Sequence, residues 1–171
     1  MIIEFRRAST DDIDGICLLM STVAALSNDS ALYVADDAHF VVRHILDEGF
    51  TIVAFVDNLL AGFCLLRLPG TQDDNLGRDL GLPFIDLSTI AHIESVAVYP
   101  EYRGMGLQTA LVTECERAVN RSTVRVMMCT VSPDNLHSLK NFERLGYRIA
   151  KTTRKYGGLE RPRQGTRSYS S

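Results

Sequence analysis

Apolar and polar positions along this chain keep to two periods, and the switches between them mark out the elements. Ile2 to Arg7 is a short alternating run and predicts a strand. In Ala8-Ser-Thr-Asp-Asp-Ile, Ser9 or Thr10 can cap a helix that carries acids in its first turn. Ile13, Ile16, Cys17, Met20 and Ala24 then recur at helical spacing. A polar break from Ser27 to Asp37 leads into a second helical pattern, Phe40, Val41, His44, Ile45 and Leu46, stopped by Gly49. Phe50 to Val56 and Leu59 to Leu68 predict a hairpin across the turn-forming pair Asp57-Asn58. Pro69 to Ser88, rich in Gly, Asp and Asn, reads as an extended surface loop before a strand at Thr89 to Val98. Leu107, Ala110, Leu111, Cys115 and Ala118 predict a helix that begins near Gly106. Val124 to Val131 is a β-branched, apolar run and predicts another strand. Pro133-Asp134-Asn135 opens a further helix, since proline and acid suit a first turn, and Gly146 ends it.

From Gly157 onward the alternation fades. Pro162 argues against a long central strand there, so a frayed, basic end is expected. With no internal repeat or linker, the pattern predicts one domain over residues 1–156 and a basic, partly disordered tail over 157–171.

Composition narrows the class without naming a function. At 171 residues, 46% hydrophobic and 23% charged, the chain can bury a core of its own. No apolar run approaches the roughly twenty residues that span a bilayer. The N-terminus lacks the basic-then-apolar order of a signal peptide. Cys17, Cys64, Cys115 and Cys129 are scattered through apolar segments without a C-x-x-C pair. That pattern favours buried, reduced thiols in a cytoplasmic protein over a zinc site or a disulfide frame, and no metal is expected. Charge is uneven. From Arg148 onward there are seven basic residues and one acidic, while the first 147 residues carry a net charge of −9. The acidic body argues against broad nucleic-acid binding and suits a cationic amine.

The candidate chemistry lies between Ile93 and Leu111. Pro100 ends strand pairing because it has no N–H. Gly104 and Gly106 allow backbone angles closed to other residues and keep side chains out of the space above the turn. A helix that opens from such a turn presents unpaired N–H groups, and Arg103 adds a full positive charge, so phosphate oxygens are the natural ligand. A Walker loop needs Gly-Lys-Ser/Thr, and here Gly106-Leu107-Gln108 stands instead. A dinucleotide turn needs a third glycine where Thr109 stands, and it comes early in a chain rather than after some hundred residues.

Arg103-Gly104-Met105-Gly106-Leu107, preceded by Pro-Glu-Tyr and an apolar strand, resembles the coenzyme A signature of the GCN5-related N-acetyltransferases, Arg/Gln-x-x-Gly-x-Gly/Ala. Gln108 departs from it at the last position. A second stretch, Asn135-Leu-His-Ser138 through Phe142 to Gly146-Tyr147, resembles the family's Asn-x-x-Ala/Ser-x-x-x-Tyr-x-x-x-Gly-Phe/Tyr. The order of elements also resembles the family fold, a mixed, strongly twisted α/β sheet of six to seven strands flanked by about four helices. The resemblance implies acetyl-CoA as cosubstrate. It places the pantetheine arm on the backbone of Val96, Ala97 and Val98, and the pyrophosphate on Arg103, Gly104, Met105, Gly106, Leu107, Gln108 and Thr109. Asn135, Ser138 and Phe142 line the cofactor in the same reading.

The implied reaction is direct attack of a primary amine, on a small molecule or a peptide, upon the thioester. An amine with a pKa of about 10.4 must first lose a proton. Glu94 and His92, two apart on one strand face, are the candidates to assist. A salt-bridged Glu94 and a structural, hydrogen-bonded His92 are the plain alternatives. Phe142 occupies the place where the family has a proton-donating tyrosine, so a non-catalytic acyl-CoA-binding or sensing module stands as the second reading. The acceptor is expected near Ser27 to His39, where Asp29, Asp36 and Asp37 could attract an amine. A homodimer is compatible with everything in the sequence.

Overall fold

The computed structural model describes residues 1–26, 38–81, 85–154 and 160–168. Among them are seven strands and four α-helices. The first half holds β1 (Ile3–Arg7), α1 (Ile13–Leu26), α2 (Ala38–Leu46), β2 (Gly49–Val56) and β3 (Leu59–Arg67). The second holds β4 (Ile90–Val98), α3 (Leu107–Ala118), β5 (Val126–Thr130), α4 (Leu136–Arg144), β6 (Arg148–Arg154) and β7 (Glu160–Ser168). Together they form the mixed α/β sheet that the order of elements implies. The chain divides into two compact units, Met1–Arg67 with Glu94–Ala118, and Leu68–Ile93 with Val119–Ser171, so β4 contributes residues to both.

In the first unit the strand order is β1-β2-β3-β4. β1 and β2 run antiparallel from Ile3↔Val56 to Arg7↔Ile52, and β2 and β3 form the expected hairpin. Asp57 and Asn58 close it at φ 47° and 67°, the left-handed pair that a two-residue turn of matching twist requires. α1 starts where the sequence caps it. The Ser9 N–H donates to Asp12 Oδ2 at 2.8 Å, and Arg6 grips both oxygens of the same carboxylate at 2.7 Å. Ile16, Leu19, Met20 and Val23 of α1 bury with Val41, Val53, Phe63, Leu65 and Ala97. The next residue along β4, Val98, packs instead with Val56, Ala61 and Leu107, as alternation along a strand dictates. Gly62 permits this close layering, because a Cβ there would lie 2.9 Å from the Ala97 carbonyl oxygen and 3.0 Å from Leu111.

In the second unit the order is β4-β5-β7-β6. β4 and β5 are parallel from Ile90↔Val126 to Ile93↔Cys129, and β7 lies antiparallel to both β5 and β6. Two expectations change here. The chain end does form a strand, and one with neighbours on both sides. Pro162 is tolerated because β5 pairs only with Gln164 to Ser168, so the proline falls where β7 faces β6 alone. The stretch from Pro69 to Ser88 is also more than a surface loop. It holds a 3-10 turn at Leu76–Leu80, with Leu76 packed on Ile90 and Met128. The buried Asn75 side chain pins it, donating to the carbonyls of Gly70 and Leu87 at 2.6 and 3.1 Å and accepting from Gly77 N–H at 2.8 Å. Asparagine in a polar stretch reads as a turn residue; its amide here substitutes for the missing strand ladder.

Candidate functional site

The turn after β4 is built from below by apolar contacts. Tyr102, Met105 and Leu107 pack on the cluster around Val56 and Ala61, with Leu107 itself buried. A 3-10 turn at Pro100–Tyr102 brings the chain round, with Tyr102 N–H donating to Tyr99 O and Arg103 N–H to Pro100 O. Gly104 and Gly106 then take φ 81° and 76°. A Cβ at either position would meet nothing within 4 Å, so glycine is required by backbone angle and not by crowding. The space above the turn is open, Arg103 is exposed beside it, and α3 begins at Leu107. The first internal acceptor contact of that helix is Ala110 N–H to Gly106 O at 3.0 Å. The amides that open the helix sit at the positive end of its dipole. These residues fit a diphosphate.

On β4, Val96 and Val98 are half-buried and Ala97 is buried. Tyr99 N–H donates to Ala61 O at 2.9 Å.

Glu94 stands in a chain of alternating charges that the sequence did not signal. Arg67, at the end of β3, has a side chain only 10% exposed. Its Nη1 lies 4.0 Å from Glu94 Oε2, and its Nε lies 3.6 Å from Glu48 Oε2. Glu48 in turn accepts from Arg43 Nη1 at 3.2 Å. His44, fully buried in α2, belongs to the same surroundings. Its Nδ1 is 2.8 Å from Phe40 O, which fixes that nitrogen as the donor. Burial pushes the imidazole below its ordinary pKa of 6.5; Glu94 and Glu48 oppose the shift and Arg67 adds to it. One signal was available in the sequence: an arginine closing a nine-residue strand of otherwise apolar residues.

The remaining expected residues belong to the second unit. His92 is buried and its Nε2 accepts a hydrogen bond from Leu76 N–H at 3.2 Å. The imidazole thereby holds the 3-10 turn in place, and the neutral ring carries its proton on Nδ1. Asn135 caps α4, its Oδ1 accepting from Ser138 N–H at 3.1 Å, which leaves the amino half of the amide to meet a ligand. Ser138 and Phe142 are buried. Phe142 meets Tyr147 edge to face, centroids 5.0 Å apart, so the tyrosine packs as a core residue. Asp29, Asp36 and Asp37 lie outside the described residues. Among the described residues no cluster of three or more His, Cys, Asp or Glu is placed to hold a metal ion, and no helix is long and apolar enough to cross a membrane.

The chain belongs to the Acetyltransferase (GNAT) family, whose model matches residues 20–147, and is an acetyltransferase. It is similar to an N-alpha-acetyltransferase of Saccharolobus solfataricus, 26% identical over 153 residues that cover 88% of this chain and 83% of that protein. Among solved structures it shares its fold with yncA of Salmonella typhimurium, determined with its cofactor acetyl-CoA. That match has a TM-score of 0.71 and 16% identity, and covers 100% of this chain and 96% of the other. It likewise shares its fold with a ribosomal-protein-alanine N-acetyltransferase of Brucella melitensis, at a TM-score of 0.70 and 15% identity over 97% and 99% of the two chains.

Proposed function

We propose that this protein moves an acetyl group from acetyl-CoA to a primary amine of a small molecule or peptide by direct attack. The observation that carries the proposal is the turn at Gly104 and Gly106, with positive φ and open space above it, flanked by exposed Arg103 and the first amides of α3. Val96, Ala97 and Val98 offer backbone to the pantetheine arm. Asn135, Ser138 and Phe142 are assigned to the cofactor by the family pattern alone.

Bound acetyl-CoA supplies the thioester carbonyl and a thiol leaving group. Glu94 takes a proton from the incoming ammonium, directly or through water. The freed nitrogen pair forms the new C–N bond, and the C–S pair departs with sulfur, which then takes up a proton. His92 is the weaker base candidate, because its accepting nitrogen is engaged by Leu76. A carboxylate base suits an amine that sheds its proton near neutrality. A peptide α-amine has a pKa of about 7.7–8.0, whereas a lysine-like amine has about 10.4. The N-alpha-acetyltransferase likeness points the same way.

Thiol release from acetyl-CoA across a panel of peptide α-amines, lysine-like amines and small amines tests the reaction, with acetyl-CoA affinity measured in parallel by calorimetry. Release with peptide α-amines and weaker release with lysine-like ones is the expected result. Phe142 favours a second reading, a non-catalytic acyl-CoA-binding module, since its ring has no proton to donate and is committed to Tyr147. Heat on acetyl-CoA binding with no release for any amine would select that module.

A further inference from the structure

We propose that Arg67 is the positioning residue of Glu94 in acetyl transfer, an inference that rests on the function proposed above. A guanidinium stays charged at every working pH, so a side chain this deeply buried must have its charge balanced locally. Glu48 and Glu94 balance it from two sides, at 3.6 and 4.0 Å. Arg43 in turn holds Glu48 at 3.2 Å, so the chain runs Arg43, Glu48, Arg67, Glu94 with alternating sign. The residues come from α2, the connection after it, β3 and β4. At 4.0 Å the Nη1–Oε2 separation exceeds hydrogen-bond length, so this contact orients Glu94 by charge. His44 on α2 feels the charges of the same groups, and its depressed pKa leaves the ring neutral near pH 7. Arg67 aims the Glu94 carboxylate, the group that serves as proton acceptor.

The sign of each substitution follows from charge. A base must be ionised to work, so the rate falls on the acid side as Glu94 takes up a proton. Arg67→Met removes the cation and moves that acid limb toward higher pH by about one unit. Glu48→Gln removes the competing carboxylate and moves the limb toward lower pH. A part that serves only as scaffold would lower thermal stability without moving the limb in either direction.

The test measures kcat/KM against pH for wild type, Arg67→Met, Arg67→Lys and Glu48→Gln, with acetyl-CoA and a peptide bearing a free N-terminal alanine. Acetyl-CoA affinity is read by calorimetry. The expected result is a loss in kcat of about tenfold or more for Arg67→Met at neutral pH, partial rescue by Arg67→Lys, opposite limb shifts for Arg67→Met and Glu48→Gln, and cofactor affinity within about twofold of wild type. Should Arg67→Met fail to fold, the Glu48→Gln limb alone decides. A wild type that transfers acetyl while both limbs stay put overturns the role of Arg67 and leaves the transferase reading intact. A wild type that binds acetyl-CoA and acetylates neither this peptide nor any amine of the panel above overturns both.

Discussion

The turn at Arg103 to Thr109 and the charged chain at Arg67 use opposite means to place polarity in the same unit. In the turn, the polar groups are main-chain amides beside the Arg103 charge, and Tyr102, Met105 and Leu107 serve as anchors beneath. Leu107 is buried, and Gly104 and Gly106 carry no side chain. In the charged chain the backbone is ordinary strand and helix, and everything is done by side chains drawn from residues 43, 48, 67 and 94. A grip made of amides tolerates substitutions that keep the backbone path. A grip made of side chains fails when one partner changes, because each charge is balanced by its neighbours. The two regions should therefore answer mutation differently.

The largest effect is expected at Gly106. Gly106→Ala keeps every amide and adds a methyl group into open space, so it costs only the left-handed strain at φ 76°, about 1–2 kcal/mol. Gly106→Glu carries the same strain and sets a carboxylate against the diphosphate. Acetyl-CoA affinity should fall by about 100-fold or more for the glutamate and by about tenfold or less for the alanine, as measured by calorimetry. Equal losses for the two would mean that no anion sits at the turn, and the contrast with Arg67 would vanish.

That contrast also explains what could be read from the sequence. Gly104, Gly106, Arg103 and the apolar positions of α3 are neighbours in the chain, so local rules of turn and helix sufficed to find them. The Asp57-Asn58 hairpin was legible for the same reason. Arg67, Glu48 and Glu94 come together only through the pairing of β2, β3 and β4, and no spacing rule links them. His44 was visible as one position in an amphipathic stripe, but its burial beside two carboxylates was not. Pro162 misled because its effect depends on where a neighbouring strand stops, and β5 stops short of it. The Asn75 anchor was hidden similarly, since its partners Gly70 and Leu87 flank it at some distance in a stretch with the composition of a loop.

A middle-sized effect is expected at Leu107, whose side chain and N–H have separate tasks. Leu107→Ala removes buried contacts with Val56 and Ala61 and should cost about 2–5 kcal/mol of stability, read from urea unfolding. The amide remains in place, so acetyl-CoA affinity of the folded protein should change by less than about threefold. A loss of affinity as large as that of Gly106→Glu would show that the turn depends on its side chains after all, which would bring it level with the charged chain.

The smallest effect, and the one that isolates the charged chain, is on stability against pH. Desolvation holds His44 below its ordinary pKa of 6.5 in the folded protein, while the unfolded chain titrates near that value. As pH falls below about 6.5 the unfolded state takes up a proton that the folded state refuses, so stability declines with acidity until the folded imidazole also protonates. Wild type should therefore lose unfolding midpoint between pH 7 and pH 5.5, and His44→Leu should show a flatter slope whatever its baseline. The turn contributes nothing to this slope, because amides do not titrate there. A His44→Leu protein that kept the wild-type slope would move the pH dependence away from the Arg67 surroundings and leave the turn and the charged chain equally indifferent to acid.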